Sequence, residues 1–192
     1  MTGHERMFRA AHAYKLDDPE RRRWLPVVDV LDRLAVRPGM MIADVGSGTG
    51  YFALPLAGAV GPFGRVFAVD AQPEMLALLR GRVEDLPISL VHGTADRTTL
   101  PDASVDLVLL ANVWHEIDEP TAVLAETARI LRPGGRIAIL DWRKDVEQPP
   151  GPPLAHRVSA TDTAALLRSA GWAVALPETV GVYSHLVLAT QE

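Results

Sequence analysis

Between positions 41 and 140 the chain alternates short, almost wholly apolar runs with longer stretches in which apolar residues recur every three or four places. Strands buried on both faces carry few polar residues, whereas the helices that cover them are amphipathic, so this alternation predicts a mostly parallel sheet sandwiched between helices. Strands are predicted over 41–45, 65–69, 88–92, 105–110 and 136–140, and helices over 51–60, 73–83 and 119–131. Pro73 suits a first helical turn, and Arg132-Pro133-Gly134-Gly135 stops the third helix.

Ahead of this core, residues 5–35 read as two helices broken at Asp17-Asp18-Pro19, the first carrying Phe8, Ala11 and Tyr14 and the second Trp24, Val28 and Leu31. After it, residues 147–153 are too rich in proline to continue a strand, 159–170 reads as a helix ended by Gly171, and 172–176 with 182–189 reads as a closing hairpin joined through 177–181. The expected fold is therefore a three-layer α/β sandwich in one domain, with an N-terminal helical cap over 1–35 and the core over 36–192.

Composition narrows the function. With 48% apolar and 22% charged residues the chain is an ordinary globular protein, and a net charge of −5 with interspersed signs offers no basic stripe to a nucleic acid. The run Arg21-Arg22-Arg23 reads as a solvated helix face. No cysteine is present, which excludes disulfides, thiolate metal sites and thiol nucleophiles. The N-terminus lacks the apolar core of a signal peptide, and no segment approaches the roughly 20 apolar residues of a membrane span, so the expected location is the cytoplasm. The pair His115-Glu116 lacks the second histidine of a zinc signature, and His92 and His185, in apolar strands, read as core histidines. Nothing in the sequence specifies an oligomeric state.

The chemistry concentrates in Ala43-Asp44-Val45-Gly46-Ser47-Gly48-Thr49-Gly50-Tyr51, a turn between the first strand and the first core helix. Alternating glycines let the backbone adopt unusual angles and let a ligand approach the main chain, although a tight turn can use glycine for geometry alone. A dinucleotide fingerprint requires glycine where Tyr51 stands, and no Gly-Lys-Ser or Gly-Lys-Thr follows. Asp44 repels a pyrophosphate and suits a cationic amino group, so the loop favours a ligand without phosphates. Asp70, at the carboxyl end of the second strand, is placed to accept hydrogen bonds from both hydroxyls of a ribose.

Asp44 to Gly50, Asp70, Leu100-Pro101-Asp102 with Asp106, and Leu131-Arg132-Pro133-Gly134-Gly135, in that order, resemble class I S-adenosylmethionine-dependent methyltransferases over residues 8–172. The segment Asn112-Val113-Trp114-His115-Glu116-Ile117 is most similar to the ubiquinone and menaquinone methyltransferase-like group, methyltransferase type 11. The resemblance implies a Rossmann-like, seven-stranded sheet with its last strand antiparallel, and S-adenosylmethionine as cofactor. By the family pattern, Asp44 and the backbone of Gly46, Ser47, Gly48, Thr49 and Gly50 face the methionine part and Asp70 the ribose. Ala71 and Met75 then face the adenine ring, and Asn112 the sulfonium. Families of this kind often carry an acid at the adenine edge; here Thr94 or Asp96 supplies that contact, with the Ala95 amide as a further donor.

Ligands of open parallel sheets sit beyond the carboxyl edge, which makes Trp114, His115 and Trp142 candidates for the substrate side. Tyr14 and Trp24 join them if the N-terminal helices fold down, and Arg157 reads either as the holder of an anionic substrate group or as a solvated side chain. For the aromatic residues the alternative is the core. His115 either removes a proton from a small-molecule acceptor, merely orients one, or is a helix-start histidine packed under Trp114.

Overall fold

The structure is a computed structural model, and it describes residues 8–146 and 150–191. The start of the first N-terminal helix expected from residue 5, and residues 147–149 of the proline-rich stretch, lie outside the described residues.

Five parallel strands, β1 (Met41–Val45), β2 (Arg65–Asp70), β3 (Ile88–His92), β4 (Val105–Ala111) and β5 (Leu131–Trp142), stand in the order β3-β2-β1-β4-β5. The sheet continues through β8 (Ser184–Gln191), antiparallel to β5, and then β6 (Trp172–Val174). An eighth strand, β7 (Glu178–Val180), pairs antiparallel with the start of β8. The expectation of seven strands is corrected here. The segment read as a hairpin connection pairs through Glu178, Thr179 and Val180, of which only Val180 is buried, so its apolar signal is a single residue.

Alternate residues of the central strands feed two cores. Ile42, Leu107, Leu109, Ala138 and Leu140 face α2 (Val27–Arg33) and α3 (Ala53–Val60), whereas Ala43, Val45, Val108, Leu110, Ile137 and Ile139 face α5 (Pro120–Ile130) and α6 (Ala160–Ser169). The remaining helix of the core is α4 (Pro73–Arg80), whose Leu79 joins the first cluster. Double-sided burial is why these strands lack polar alternation. α6 is capped by Ser159, whose hydroxyl accepts from the Asp162 amide at 3.0 Å.

The N-terminal cap departs from two helices. Its first part is a 3-10 turn, Ala10–Lys15, and its second divides into α1 (Arg21–Trp24) and α2 around Leu25-Pro26, since Pro26 has no amide to continue a helix. In the tighter turn Ala13 is buried and Tyr14, expected on the inner face, is 70% exposed. No helix among the described residues is long and apolar enough to cross a membrane.

Candidate active site

Because β1, β2, β4 and β5 run parallel, their carboxyl ends bring Asp44, Asp70, Asn112 and Asp141 to one edge. There a cavity of about 720 Å³ opens. The glycine turn forms its floor by folding onto β2: the amides of Gly46 and Ser47 donate to the Val69 carbonyl at 2.8 and 3.0 Å, and Gly48 donates to Asp70 Oδ2 at 2.8 Å. Gly46, at φ +74°, is irreplaceable on packing grounds too, since a Cβ there would lie 2.3 Å from a Val113 methyl.

Three buried polar atoms in the cavity wall have no partner among the described residues: Asp44 Oδ2, Ser47 Oγ and Asn112 Oδ1. Asn112 also adopts φ +58°, rare for a residue with a side chain. Burial, reinforced by the nearby Asp70 charge, pushes the Asp44 carboxyl up to about 7 despite the Ala53 amide and Arg21 working the other way. Asp70 is raised by burial, while hydrogen bonds from the Gln72 and Gly48 amides oppose the shift. Ser47, Thr49, Ala71, Met75, Thr94, Ala95 and Asp96 also line the cavity. Thr94 and Arg97 exchange backbone hydrogen bonds of 3.1 Å, which holds Ala95 and Asp96 at the tip of a tight turn.

The N-terminal segment supplies another wall through Phe8, Lys15, Leu16, Arg21 and Trp24. It is tied down at three places. Gln72 donates to the Phe8 carbonyl at 2.7 Å and accepts from the Ala10 amide at 3.0 Å; Phe8 donates to Glu116 Oε1 at 3.1 Å; and Asp17 accepts from Thr49 at 3.1 Å and pairs with Arg82 at 2.8 Å. Trp24 packs against Trp142 with ring centroids 5.2 Å apart and planes tilted by 36°, and both line the cavity.

His115 lines the same cavity from a 3-10 turn, Trp114–Glu116, that follows β4. Its Nδ1 lies 2.8 Å from Asp141 Oδ1, and its backbone amide donates to Asp141 Oδ2 at 2.8 Å. Burial depresses the imidazole, but the hydrogen bond and charge of Asp141, with the Glu116 charge, outweigh it and hold the group above the usual histidine range. Glu116, whose Oε1 is 3.8 Å from His115 Nε2, is raised by burial to about 7.

Several expected site residues lie elsewhere. Gly50 is outside the lining; at φ +93° a Cβ would meet Leu79 at 2.4 Å, so the glycine serves helix packing. Trp114 is buried in the core shared with α5, and Tyr14 points to solvent. Arg157 neither reaches the cavity nor is solvated: 4% exposed, it donates to the carbonyls of Pro152 at 2.7 and 2.9 Å and of Arg143 at 2.9 Å. It clamps the chain that returns over Trp142. Arg157→Ala is expected to destabilise the fold by about 1–3 kcal/mol, because it strands buried acceptors. Thermal melting tests this, at about 2–4 °C per kcal/mol, and an unchanged melting point returns Arg157 to the solvent.

Sequence reasoning missed Arg21 and Asp141. Arg21 is buried over the Tyr51 ring at 4.0 Å, and burial lowers it to about 10; only Arg22 and Arg23 are solvated. His92 is also exposed rather than core, bonding the Ala71 carbonyl at 3.2 Å. Another acid at the end of an apolar strand run was the available signal for Asp141.

Comparison with known proteins matches a family model described as a methyltransferase domain to residues 43–139. The chain belongs to this methyltransferase domain family. A solved structure of a SAM-dependent methyltransferase from Aquifex aeolicus superposes with a TM-score of 0.90 at 32% identity, covering 95% of this chain and 98% of that one. A ubiquinone/menaquinone biosynthesis C-methyltransferase of Ectopseudomonas mendocina is 33% identical over 144 residues, 71% of this chain and 53% of that protein. An uncharacterised methyltransferase of Mycobacterium bovis is 39% identical over 112 residues, 58% of this chain and 44% of the other. The chain thus spans about half or less of the length of such curated relatives. The methyltransferase resemblance and the Rossmann-like sheet with one antiparallel strand agree with these relatives.

Proposed function

We propose that this methyltransferase-family chain binds S-adenosylmethionine in the cavity and transfers the methyl group to a small-molecule acceptor. The observation that carries the reading is a set of partnerless buried oxygens, Asp44 Oδ2, Ser47 Oγ and Asn112 Oδ1, in the cavity wall at the carboxyl ends of the neighbouring strands β1 and β4. Buried polar atoms are almost always satisfied, so the Asp44 carboxylate and Asn112 amide oxygens, which accept, are set for a ligand with cationic or donor groups. An amino acid's ammonium and a sulfonium have that character; a pyrophosphate does not.

In this reading Asp44 and the turn from Gly46 to Thr49 hold the methionine part, Asp70 the ribose, Ala71 and Met75 the adenine face, and Thr94, Ala95 and Asp96 its edge. Asn112 stands near the sulfonium. When bound, the cofactor supplies a methyl carbon already activated by positive charge. The protein's part is then to align an acceptor, exclude water and, for an acceptor bearing a proton, remove it. His115, Trp24 and Trp142 line the same cavity, and in this reading they face the acceptor.

A volume of about 720 Å³ falls in the common small-ligand range of about 300–1,000 Å³. With a net charge of −5, this favours a small molecule over a nucleic acid.

Calorimetric titration is expected to give S-adenosylmethionine and S-adenosylhomocysteine dissociation constants of micromolar order, with no heat from nicotinamide dinucleotides. Tight dinucleotide binding with no response to S-adenosylmethionine refutes the assignment.

A further inference from the structure

Asp141 is a buried carboxylate whose hydrogen bonds among the described residues serve its immediate neighbourhood. Oδ2 accepts the backbone amide of His115 at 2.8 Å; Oδ1 accepts the Trp142 amide at 2.7 Å and lies 2.8 Å from His115 Nδ1. Holding the 3-10 turn in place needs only the first of these. The contact to the imidazole does something separate. A carboxylate oxygen accepts, so Nδ1 carries the proton and the lone pair is left on Nε2. Nε2 lies 3.8 Å from Glu116 Oε1, beyond hydrogen-bond reach, and His115 forms part of the cavity wall.

We infer that Asp141 is a positioning residue that fixes His115 in its Nδ1–H form and turns Nε2 into a proton acceptor facing the cavity. The inference rests on the methyl-transfer reading for its purpose, though its geometry stands apart from it. In the step it serves, an acceptor X–H gives its proton to Nε2 and X forms the new bond to the methyl carbon with an electron pair of its own, while the carbon–sulfur bond breaks and its pair returns to sulfur, which leaves as a neutral thioether. The resulting imidazolium, stabilised by Asp141, later loses that proton to water. A thioether or tertiary amine acceptor has no such proton and gives the arrangement nothing to do.

The charged groups that face this imidazole are Asp141 on β5, Glu116 on its own turn and Arg157 beyond β5; His185 on β8 is the strand partner of Asp141. Glu116 favours the protonated ring and Arg157 opposes it.

Nitrogen-15 NMR of the labelled full chain tests the inference, with His115→Gln assigning the resonance. The wild type is expected to show the Nδ1–H tautomer and a titration raised from that of an ordinary histidine. In Asp141→Asn, which keeps an acceptor oxygen for the backbone amide, the titration is expected to fall by about one unit or more and the Nε2–H form to gain population. A wild-type Nε2–H tautomer, or identical tautomer and titration in the variant, overturns the inference. Should Asp141→Asn fail to fold by circular dichroism, the wild-type tautomer still decides. Calorimetry with S-adenosylmethionine on the same samples separates the two readings: absent binding defeats the methyl-transfer reading while the tautomer result stands.

Discussion

Asp44→Asn will weaken S-adenosylmethionine binding by about 2–5 kcal/mol, the range for removing one member of a buried, hydrogen-bonded charge pair, and will make the ligand-free chain more stable at pH 8. Both effects come from one cause. Burial raises the Asp44 carboxyl to about 7 in the folded chain, whereas unfolded it titrates near about 3.9. Between about pH 4 and 7 the folded state therefore binds more protons than the unfolded one, so the stability of the free protein falls as the pH rises through that window. Glu116, raised by burial to about 7, acts with the same sign.

A cationic ligand reverses the preference, because it binds the ionised form. Its affinity should rise by up to about tenfold per pH unit until pH 7 and level off above. In the asparagine variant that pH dependence should shrink, and the melting point at pH 8 should increase because a buried charge has gone. Calorimetry between pH 5.5 and 8.5 with parallel thermal melts checks both. Affinity that is flat with pH and unchanged in the variant would remove Asp44 from the site.

The legibility of the molecule in its sequence varied with how local the cause was. The five parallel strands were readable because burial on both faces leaves runs such as Val105–Ala111 almost free of polar residues. Asp44 and Asp70 were readable because each terminates such a run beside glycines whose spacing only a few ligands explain. β7 was not, since three residues at an edge with one buried side chain leave no periodicity to detect.

Arg21 defeats reading for another reason. Its neighbours Arg22 and Arg23 are solvated, and what distinguishes it is Tyr51, thirty positions away, whose hydroxyl in turn donates to the Leu25 carbonyl at 2.7 Å. Arg157 is similar: its partners are carbonyls, which every residue type carries, so no composition signal marks them. The indole of Trp114 and that of Trp142 look alike in sequence, yet a 3-10 turn sends one to the core and the strand end sends the other to the cavity. The two acids Asp70 and Asp141 both lie near the carboxyl ends of their strands, and the second gains its meaning only when the turn after β4 brings His115 against it.

His115→Ala is expected to lower turnover by about 10²–10⁴-fold with cofactor affinity nearly intact, the loss associated with removing a positioned general base. The expectation follows from three observations together: the ring is in the cavity wall, Asp141 holds Nδ1, and Trp24 and Trp142, packed against each other, line the same cavity. If the histidine only packed the turn, alanine would lower the melting point and affect every substrate alike, while the surviving folded enzyme kept its rate. A base behaves differently. Turnover in the wild type should fall on the acid side as Nε2 becomes protonated, at a pH above that of an ordinary histidine because Asp141 and Glu116 favour the charged ring. The alanine variant should lose that acidic limb and recover part of its rate at high pH, where hydroxide or an already ionised acceptor replaces the missing group. The measurement is the release of S-adenosylhomocysteine from any acceptor the wild type accepts, across pH 5.5–9.5, for wild type and variant. Full turnover in a folded variant, with the acidic limb still present, would leave alignment of the acceptor as the whole of the protein's contribution.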